Sequence, residues 1–376
     1  MLKRLLAVST AMLLTLATFA FAAELRQDHP DTYTVKKGDT LWDISARFLS
    51  KPWLWPEIWQ ANPQVKNPHL IYPGDVLSLV YINGQARLTS SGGPQIRSSE
   101  AIPTIPLAEL EPYLKQLTIV SDPKKLPYVV GLEEDRLLTT AGQVAYVRGL
   151  ASPQPGDQVQ IARAVSVFAV GRVKNGRHLG GVSPVDFRGD TLHRHWGYLD
   201  APYEAHGTKL GYEMMQQSIG EVTRVQGDIA IVLLKQEGRE VRVGDRVLPV
   251  PEPAYDAYFY PQPPTSMPAA GANILAIPDG VEFAGTHMVV ALSVGSVDGV
   301  RNGTTFSVWH DGTSKGDSVV HSNNIMIATN RSAMPDDYLG HVMVFRTFEK
   351  VSYGLLMDGI RPVRVGDLLK DPDSVH

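Results

Sequence analysis

The sequence predicts an α+β protein: a small βααβ unit followed by a mostly-β region of two related, small, barrel-like domains. Three observations carry that expectation. Residues 31–80 run strand, helix, helix, strand, with helical spacing of apolar residues confined to the middle. From about Thr118 onward, short β-rich runs are separated by Gly and Pro, and long helical patterns are nearly absent. Within that region, three segments recur in the same order.

In the first unit, Thr32 to Val35 is a short β-rich run and Gly38-Asp39 turns it. Thr40 with Asp43 three residues later has the form of a capping box, so a helix starts there. Leu41, Ile44 and Phe48 give that helix one apolar face. Pro52 and Pro56 suit the first turn of a second helical element, where a missing N–H costs little. Trp55, Ile58 and Trp59 form its buried side, and Asn62-Pro63 ends it. Tyr72-Pro73-Gly74-Asp75 is then a turn into a strand over Val76 to Val80.

Three separately placed motifs, YTVKKGDTLWDIS, QANP and LIYPGDVL, make this segment resemble a LysM module. The stretch LSKPWLWPEIW departs from that family in being longer and richer in Trp. The resemblance implies a βααβ fold that binds N-acetylglucosamine-containing glycans such as peptidoglycan, in a shallow groove between two loops. Carried onto this chain, the groove falls at Gly38, Asp39, Thr40 and Leu41 and at Asn62, Pro63, Leu70, Ile71 and Tyr72. Turn amides suit the N-acetyl group, and Leu70, Ile71 and Tyr72 offer an apolar floor. Gly38, Asp39 and Asn62 also have a purely structural reading, as residues that shape turns and caps. Trp53, Trp55 and Trp59 are read as core residues ahead of sugar-stacking platforms.

Ahead of this unit, residues 1–23 have the form of a signal peptide. Lys3 and Arg4 begin it, Leu5 to Phe21 is apolar, and Ala20-Phe21-Ala22 fits the cleavage rule; an uncleaved anchor is the other reading. The chain has no cysteine, so an exported protein of this sequence relies on its core rather than on disulfides. The formal charge of −4 becomes more negative without Lys3 and Arg4, which leaves no basic field for nucleic acid. No later stretch approaches the length of a membrane span. The expected compartment is the periplasm, at the cell wall and outer membrane.

Residues 81–117 read as a linker rich in Ser, Gly and Pro, with a short helix over Leu107 to Leu117. A first β-rich domain is expected over 118–250, a Pro-rich strap over 251–272 and a second β-rich domain over 273–370. Expected strands include Gln143 to Val147, Gln158 to Ala162, Ile229 to Leu234, Met288 to Leu292, Thr305 to Trp309 and Val342 to Phe345. The repeat pairs YVRGLASPQPGDQVQI, LGYEMMQQSIGEV and VRVGDRVL with ALSVGSVDGVRNGTTFSV, LGHVMVFRTFEKV and VRVGDLL. Gly156, Gly244, Gly303 and Gly366 each precede a strand and are followed by Asp or Thr, a turn-then-strand device. Tyr255, Tyr258, Phe259 and Tyr260 sit in the strap, which reads as a spacer, a contact surface or, ahead of these, a segment docked on its own domain.

LysM modules are often fused to wall-cutting enzymes, whose catalytic sets have recognisable sequence patterns. Thiolate-dependent hydrolases and transpeptidases are excluded by the absence of cysteine, which leaves His206-Gly207-Thr208 idle. His193 and His195 have ligand-like spacing, with His178 and His206 nearby, but no H-x-x-x-D or H-E-x-x-H completes a zinc set. Ser121 and Lys124 have S-x-x-K spacing, but Pro123 argues against the helix that motif requires. No phosphate loop or dinucleotide fingerprint appears. No catalytic residue, metal or cofactor is expected.

Leader, single LysM module, linker and a β-rich region ending in VRVGDLL together resemble the secretin-associated LysM proteins of type IV pili, the TsaP family, whose C-terminal region is similar to that of the flagellar protein FlgT. That resemblance implies a non-enzymatic tether between peptidoglycan and the outer-membrane secretin ring. A wall hydrolase with an unrecognised site, and a wall-binding accessory factor of another envelope machine, are the alternatives.

Overall fold

The computed structural model describes residues 24–59, 71–82, 85–90, 110, 113, 116–171, 180–184, 207–235, 238–250, 259–268, 271–278, 283–312, 315–316, 331–332 and 334–374. The chain divides into two compact units, residues 1–105 and 106–376. The expected signal peptide lies outside the described residues.

In the first unit, strand β1 (Thr32–Thr34) leads to helix α1 (Leu41–Phe48), a 3₁₀ turn (Pro52–Leu54) and helix α2 (Trp55–Trp59), then strand β2 (Val76–Ile82) and strand β3 (Gln85–Ser90). The capping box forms: Asp43 N–H donates to Thr40 Oγ1 at 3.2 Å, and Thr40 N–H donates to Asp43 Oδ2 at 3.1 Å. Leu41, Ile44 and Phe48 bury their shared face with Trp55, Ile58 and Trp59. These tryptophans, like Trp53, are core residues.

One element corrects the expected linker. Residues 85–90 form a third strand, antiparallel to β2 with Leu79 opposite Leu88. The cause is burial: Leu88 is fully enclosed in the α1–α2 core, and Arg87 donates to the Glu57 carbonyl at 2.6 Å. One apolar side chain in a polar run was enough to recruit the strand.

The second unit begins with Leu110 and Tyr113, the described part of the short helix expected over 107–117; both are helical and buried. Its strands are β4 (Leu117–Val120), β5 (Tyr128–Leu132), β6 (Val144–Arg148), β7 (Gln158–Gly171), β8 (Gly180–Pro184), β9 (Gly207–Gln226), β10 (Ile229–Leu234) and β11 (Arg246–Pro249). They form one sheet in the order β4-β9-β10-β6-β5-β11-β7-β8, and an additional β7–β9 pairing closes its middle into a ring. Val129, Val147, Ile161, Val222 and Val232 fill that ring. Beyond it, β7 and β9 continue as a long arm, flanked by β8 and β4.

The remaining strands are β12 (Ala272–Ala276), β13 (Phe283–Ala284), β14 (Val289–Leu292), β15 (Thr305–His310), β16 (Lys315–Gly316), β17 (Arg331–Ser332), β18 (Asp337–Thr347), β19 (Ser352–Gly359), β20 (Val363–Arg364) and β21 (Leu368–Lys370). A closed barrel runs β12-β14-β19-β18-β15-β21, while β13–β20 and β16–β17 are small ribbons. Its core includes Ile274, Leu292, Phe306, Val342, Val344 and Leu356.

The two rings share one topology. Starting from β5 or from β12, the order around the ring is first, second, fifth, fourth, third, sixth strand. The repeated glycine turns form the same hydrogen bonds in each. Gly156 N–H donates to Val222 O at 2.8 Å and Val222 N–H returns to Asp157 O at 2.9 Å; Gly303 and Val344 do the same at 2.6 Å, with the return to Thr304 O at 2.8 Å. All of these glycines have positive φ, near 90–100°. The repeat seen in the sequence is a duplicated barrel.

Within the strap, residues 251–258 lie outside the described set, Tyr255 and Tyr258 among them. Phe259 is buried, and Gln262 bridges Thr304. This part of the strap docks on the second barrel; Tyr260 keeps 44% of its surface exposed.

Candidate glycan-binding site

Two turns lie side by side at one end of the first unit. Gly38, in the turn after β1, has φ +95°, and Asp39 N–H donates to Lys36 O at 3.2 Å. Asp39 Oδ2 accepts from Lys36 N–H at 2.8 Å and from the Tyr33 hydroxyl at 2.9 Å. Burial, and next the hydrogen bond to Asp39, push the Tyr33 phenol above its ordinary value. The Arg47 guanidinium sits 4.7 Å from the Tyr33 ring centre.

The second turn, before β2, repeats the pattern. Gly74 has φ +96°, Asp75 N–H donates to Tyr72 O at 3.0 Å, and Tyr72 N–H donates to Asp75 Oδ2 at 3.0 Å. Val35 ties the turns together, donating to Asp75 O and accepting from Gly74 N–H, both at 2.8 Å. Val35 immediately precedes the first turn, so the two loops are held as neighbours by main-chain bonds.

The expected site residues divide by role. Gly38 is exposed, and nothing lies within 4 Å of the point where a Cβ would stand, so a ligand can approach the backbone closely. Asp39 organises the turn. Thr40 is 3% exposed with its hydroxyl engaged by Asp43, and Leu41 and Ile71 are fully enclosed. The apolar side chain of Ile71 therefore belongs to the core and not to a floor, and these three positions can meet a ligand only through their main chain. Tyr72 is half-buried. Asn62, Pro63 and Leu70 lie outside the described residues.

Sequence reasoning missed Tyr33, Lys36 and Asp75. The signal was present as a polar side chain following each turn glycine, since Gly38-Asp39 and Gly74-Asp75 are the same device, but the hydrogen-bonded partners of those carboxylates are set by folding.

The other motifs resolve structurally. Asp122 caps a 3₁₀ turn (Pro123–Lys125) by accepting Lys124 N–H at 3.0 Å, and Ser121 Oγ donates to Glu349. Ser121 and Lys124 thus stand at a capped turn, not at the head of an α-helix. Among the described residues, no group of three or more His, Asp or Glu could hold a metal ion. His178, His193, His195 and His206 lie outside them. No helix among the described residues is long and apolar enough to cross a membrane.

Residues 33–80 match the LysM domain, a peptidoglycan- and carbohydrate-binding module typical of cell-envelope proteins. The chain is similar to an uncharacterised protein, YqbP, of Bacillus subtilis, with 40% identity over 60 residues, 13% of this chain and 27% of that protein. It is also similar to the potassium binding protein Kbp of Escherichia coli O6:H1, with 48% identity over 48 residues, 12% of this chain and 32% of that protein. The chain thus spans less than a third of the length of these relatives.

Proposed function

We propose that this is a non-enzymatic peptidoglycan-binding protein of the periplasm that anchors an outer-membrane secretin, that of the type IV pilus machinery, to the cell wall. The observation that carries the reading is the pair of turns at Gly38 and Gly74, tied through Val35 inside a LysM domain. Glycan contact is made by the main chain of Gly38 to Leu41 and of Ile71 to Tyr72, and the LysM resemblance adds Asn62, Pro63 and Leu70 to the contact set. The leader at residues 1–23 directs export.

The secretin half of the proposal is supported by the order of parts: leader, one LysM module and a duplicated β-barrel region, the arrangement of the TsaP family. It also has a physical rationale. A pore under load needs attachment to a stiff element, and a single shallow groove binds weakly. Several copies acting on one ring raise the effective attachment by multivalency.

Sedimentation with insoluble peptidoglycan tests the first half. The full chain is retained and the chain lacking residues 33–80 is not; equal retention rejects glycan binding. Crosslinking of intact envelopes tests the second, and complexes lacking secretin reject it. Clearing of a peptidoglycan gel at the protein's position would instead establish a wall hydrolase.

A further inference from the structure

The outer face of β18–β19 is as buried as its inner face. Val342, Val344 and Leu356 point into the barrel, while Met343, Phe345, Tyr353 and Leu355 on the opposite face are 0–1% exposed. At Phe345 and Tyr353 that cover includes Tyr113, from the segment before the first barrel, and at Tyr353 also Glu213 of the arm. Tyr113 meets Tyr353 with ring centres 5.7 Å apart and Phe345 at 6.4 Å, and Arg346 donates to the Tyr113 carbonyl. In the middle of this apolar contact, the Tyr353 hydroxyl donates to Glu213 Oε1. Glu213 lies on the arm strand β9, opposite Ile119 of β4 and Ser166 of β7, and is 9% exposed.

Among the described residues, the groups facing this carboxyl are few. β7 contributes the Ser166 hydroxyl, which hydrogen-bonds Glu213. β19 contributes Tyr353, and β4 contributes Ile119. The cation whose charge acts on the phenol, among the described residues, is Arg346 on β18, which donates to the Tyr113 carbonyl and lies 5.0 Å from the Phe348 ring centre. An ionised Glu213 thus has, among the described residues, two neutral hydroxyl donors and no paired cation, in a contact made of rings.

We propose that the Glu213–Tyr353 contact is a proton-controlled joint: a protonated Glu213 lets the two barrels close as one body, and its ionisation loosens them. Burial raises the Glu213 carboxyl above its ordinary value, with the hydrogen bonds from Tyr353 and Ser166 acting against that shift. For an acid raised in the closed state, closure is favoured most below the ordinary glutamate value. The advantage is lost as pH rises through the closed-state value.

The chain has no cysteine, so two introduced cysteines can be labelled cleanly. Exposed Arg224 on β9 and Arg301 before β15 are replaced by nitroxide-labelled cysteines in the full chain, and the label-to-label distance distribution is read by pulsed electron resonance. From about pH 4.5, close to the ordinary glutamate value, to about pH 8, the narrow distribution broadens. Glu213→Gln, which keeps the shape and an acceptor for Tyr353 but cannot ionise, stays narrow throughout. Ser166→Ala removes a donor to the ionised form, so its transition moves to higher pH. A distribution unchanged with pH in the parent, a pH response surviving Glu213→Gln, or a Ser166→Ala midpoint moving downward would each overturn the joint.

Discussion

Asp245 and Asp367 occupy the same place in the two barrels and hold it with the same bonds. Asp245 Oδ2 accepts Arg242 N–H at 2.8 Å, and Asp367 Oδ2 accepts Arg364 N–H at 2.7 Å. Their carbonyls accept from Val129 and Ile274, both at 2.9 Å, so each turn is stitched to the first strand of its own barrel. The second bond of each carboxylate differs. The sixth residue of the third strand supplies it, Arg163 on β7 in one case and His310 on β15 in the other.

Asp367→Ala removes both acceptors and leaves a turn N–H without its cap. The second unit is expected to lose about 1–3 kcal/mol, the usual cost of a broken buried hydrogen bond. Asp367→Asn keeps one acceptor oxygen and should lose less. Urea unfolding followed by circular dichroism reads both; an Asn variant as unstable as the Ala variant would show that charge, not acceptance, matters at this turn.

At the glycan site, Asp39→Ala removes the single carboxylate that receives both Lys36 N–H and the Tyr33 hydroxyl. A loss of about 1 kcal/mol in the first unit is expected from the turn alone, together with weaker retention on peptidoglycan. Tyr33→Phe removes one of the two bonds and leaves the turn capped, so retention should fall less. If Asp39→Ala binds as the parent does, the turn geometry is not part of recognition.

The elements legible in the sequence are those with local causes. α1 was readable because Thr40 and Asp43 satisfy its start and Leu41, Ile44 and Phe48 share one face. The duplication was readable because Gly244-Asp245 and Gly366-Asp367 answer a backbone requirement that few residues meet. What was not readable depends on distant partners. Strand β3 exists because Leu88 finds a core built by residues some thirty positions earlier, and Arg87 reaches Glu57 across that same separation. The arm of β7 and β9 runs well past the strands expected there. The meeting of Glu213 with Tyr353 joins residues 140 positions apart. The glycan site was legible as two loops, while the burial of Ile71 needed the packed core to be seen.

The two turn glycines Gly38 and Gly303 should respond differently to the same change. Both have φ above +90°, so alanine at either is strained by about 1–2 kcal/mol. At Gly38 the added methyl meets open space. At Gly303 it would stand 2.1 Å from the Tyr260 carbonyl oxygen, where the strap bridges the barrel through Gln262 N–H to Gly303 O at 3.0 Å. Gly303→Ala is therefore expected to cost a further ~1–3 kcal/mol and to release the strap. Hydrogen exchange at Gln262 and Thr305 measures that release; unchanged protection there would mean the strap does not depend on this approach.

Arg163→Met tests how a buried charge is carried in the first barrel. Arg163 Nε and Nη2 meet the two oxygens of Asp245 at 2.8 Å each, and the carboxylate side chain is 2% exposed. Burial pushes Asp245 above its ordinary value, and the hydrogen bonds and charge of Arg163 pull it back. Removing the guanidinium leaves an uncompensated buried carboxylate, which costs about 3–5 kcal/mol near neutral pH. The folded-state value of Asp245 then moves further up while the unfolded value stays put, so the penalty is largest above the folded value. It shrinks as acidification protonates the carboxyl. Chemical unfolding of Arg163→Met at about pH 7 and about pH 4.5, bracketing the range above a free aspartate, should show the smaller deficit at the lower pH. The double variant Arg163→Met with Asp245→Asn, which has no charge to strand and still caps Arg242 N–H, should recover most of the loss at both. A deficit independent of pH, or one that the double variant does not relieve, would mean that Arg163 stabilises the barrel through packing rather than through its charge.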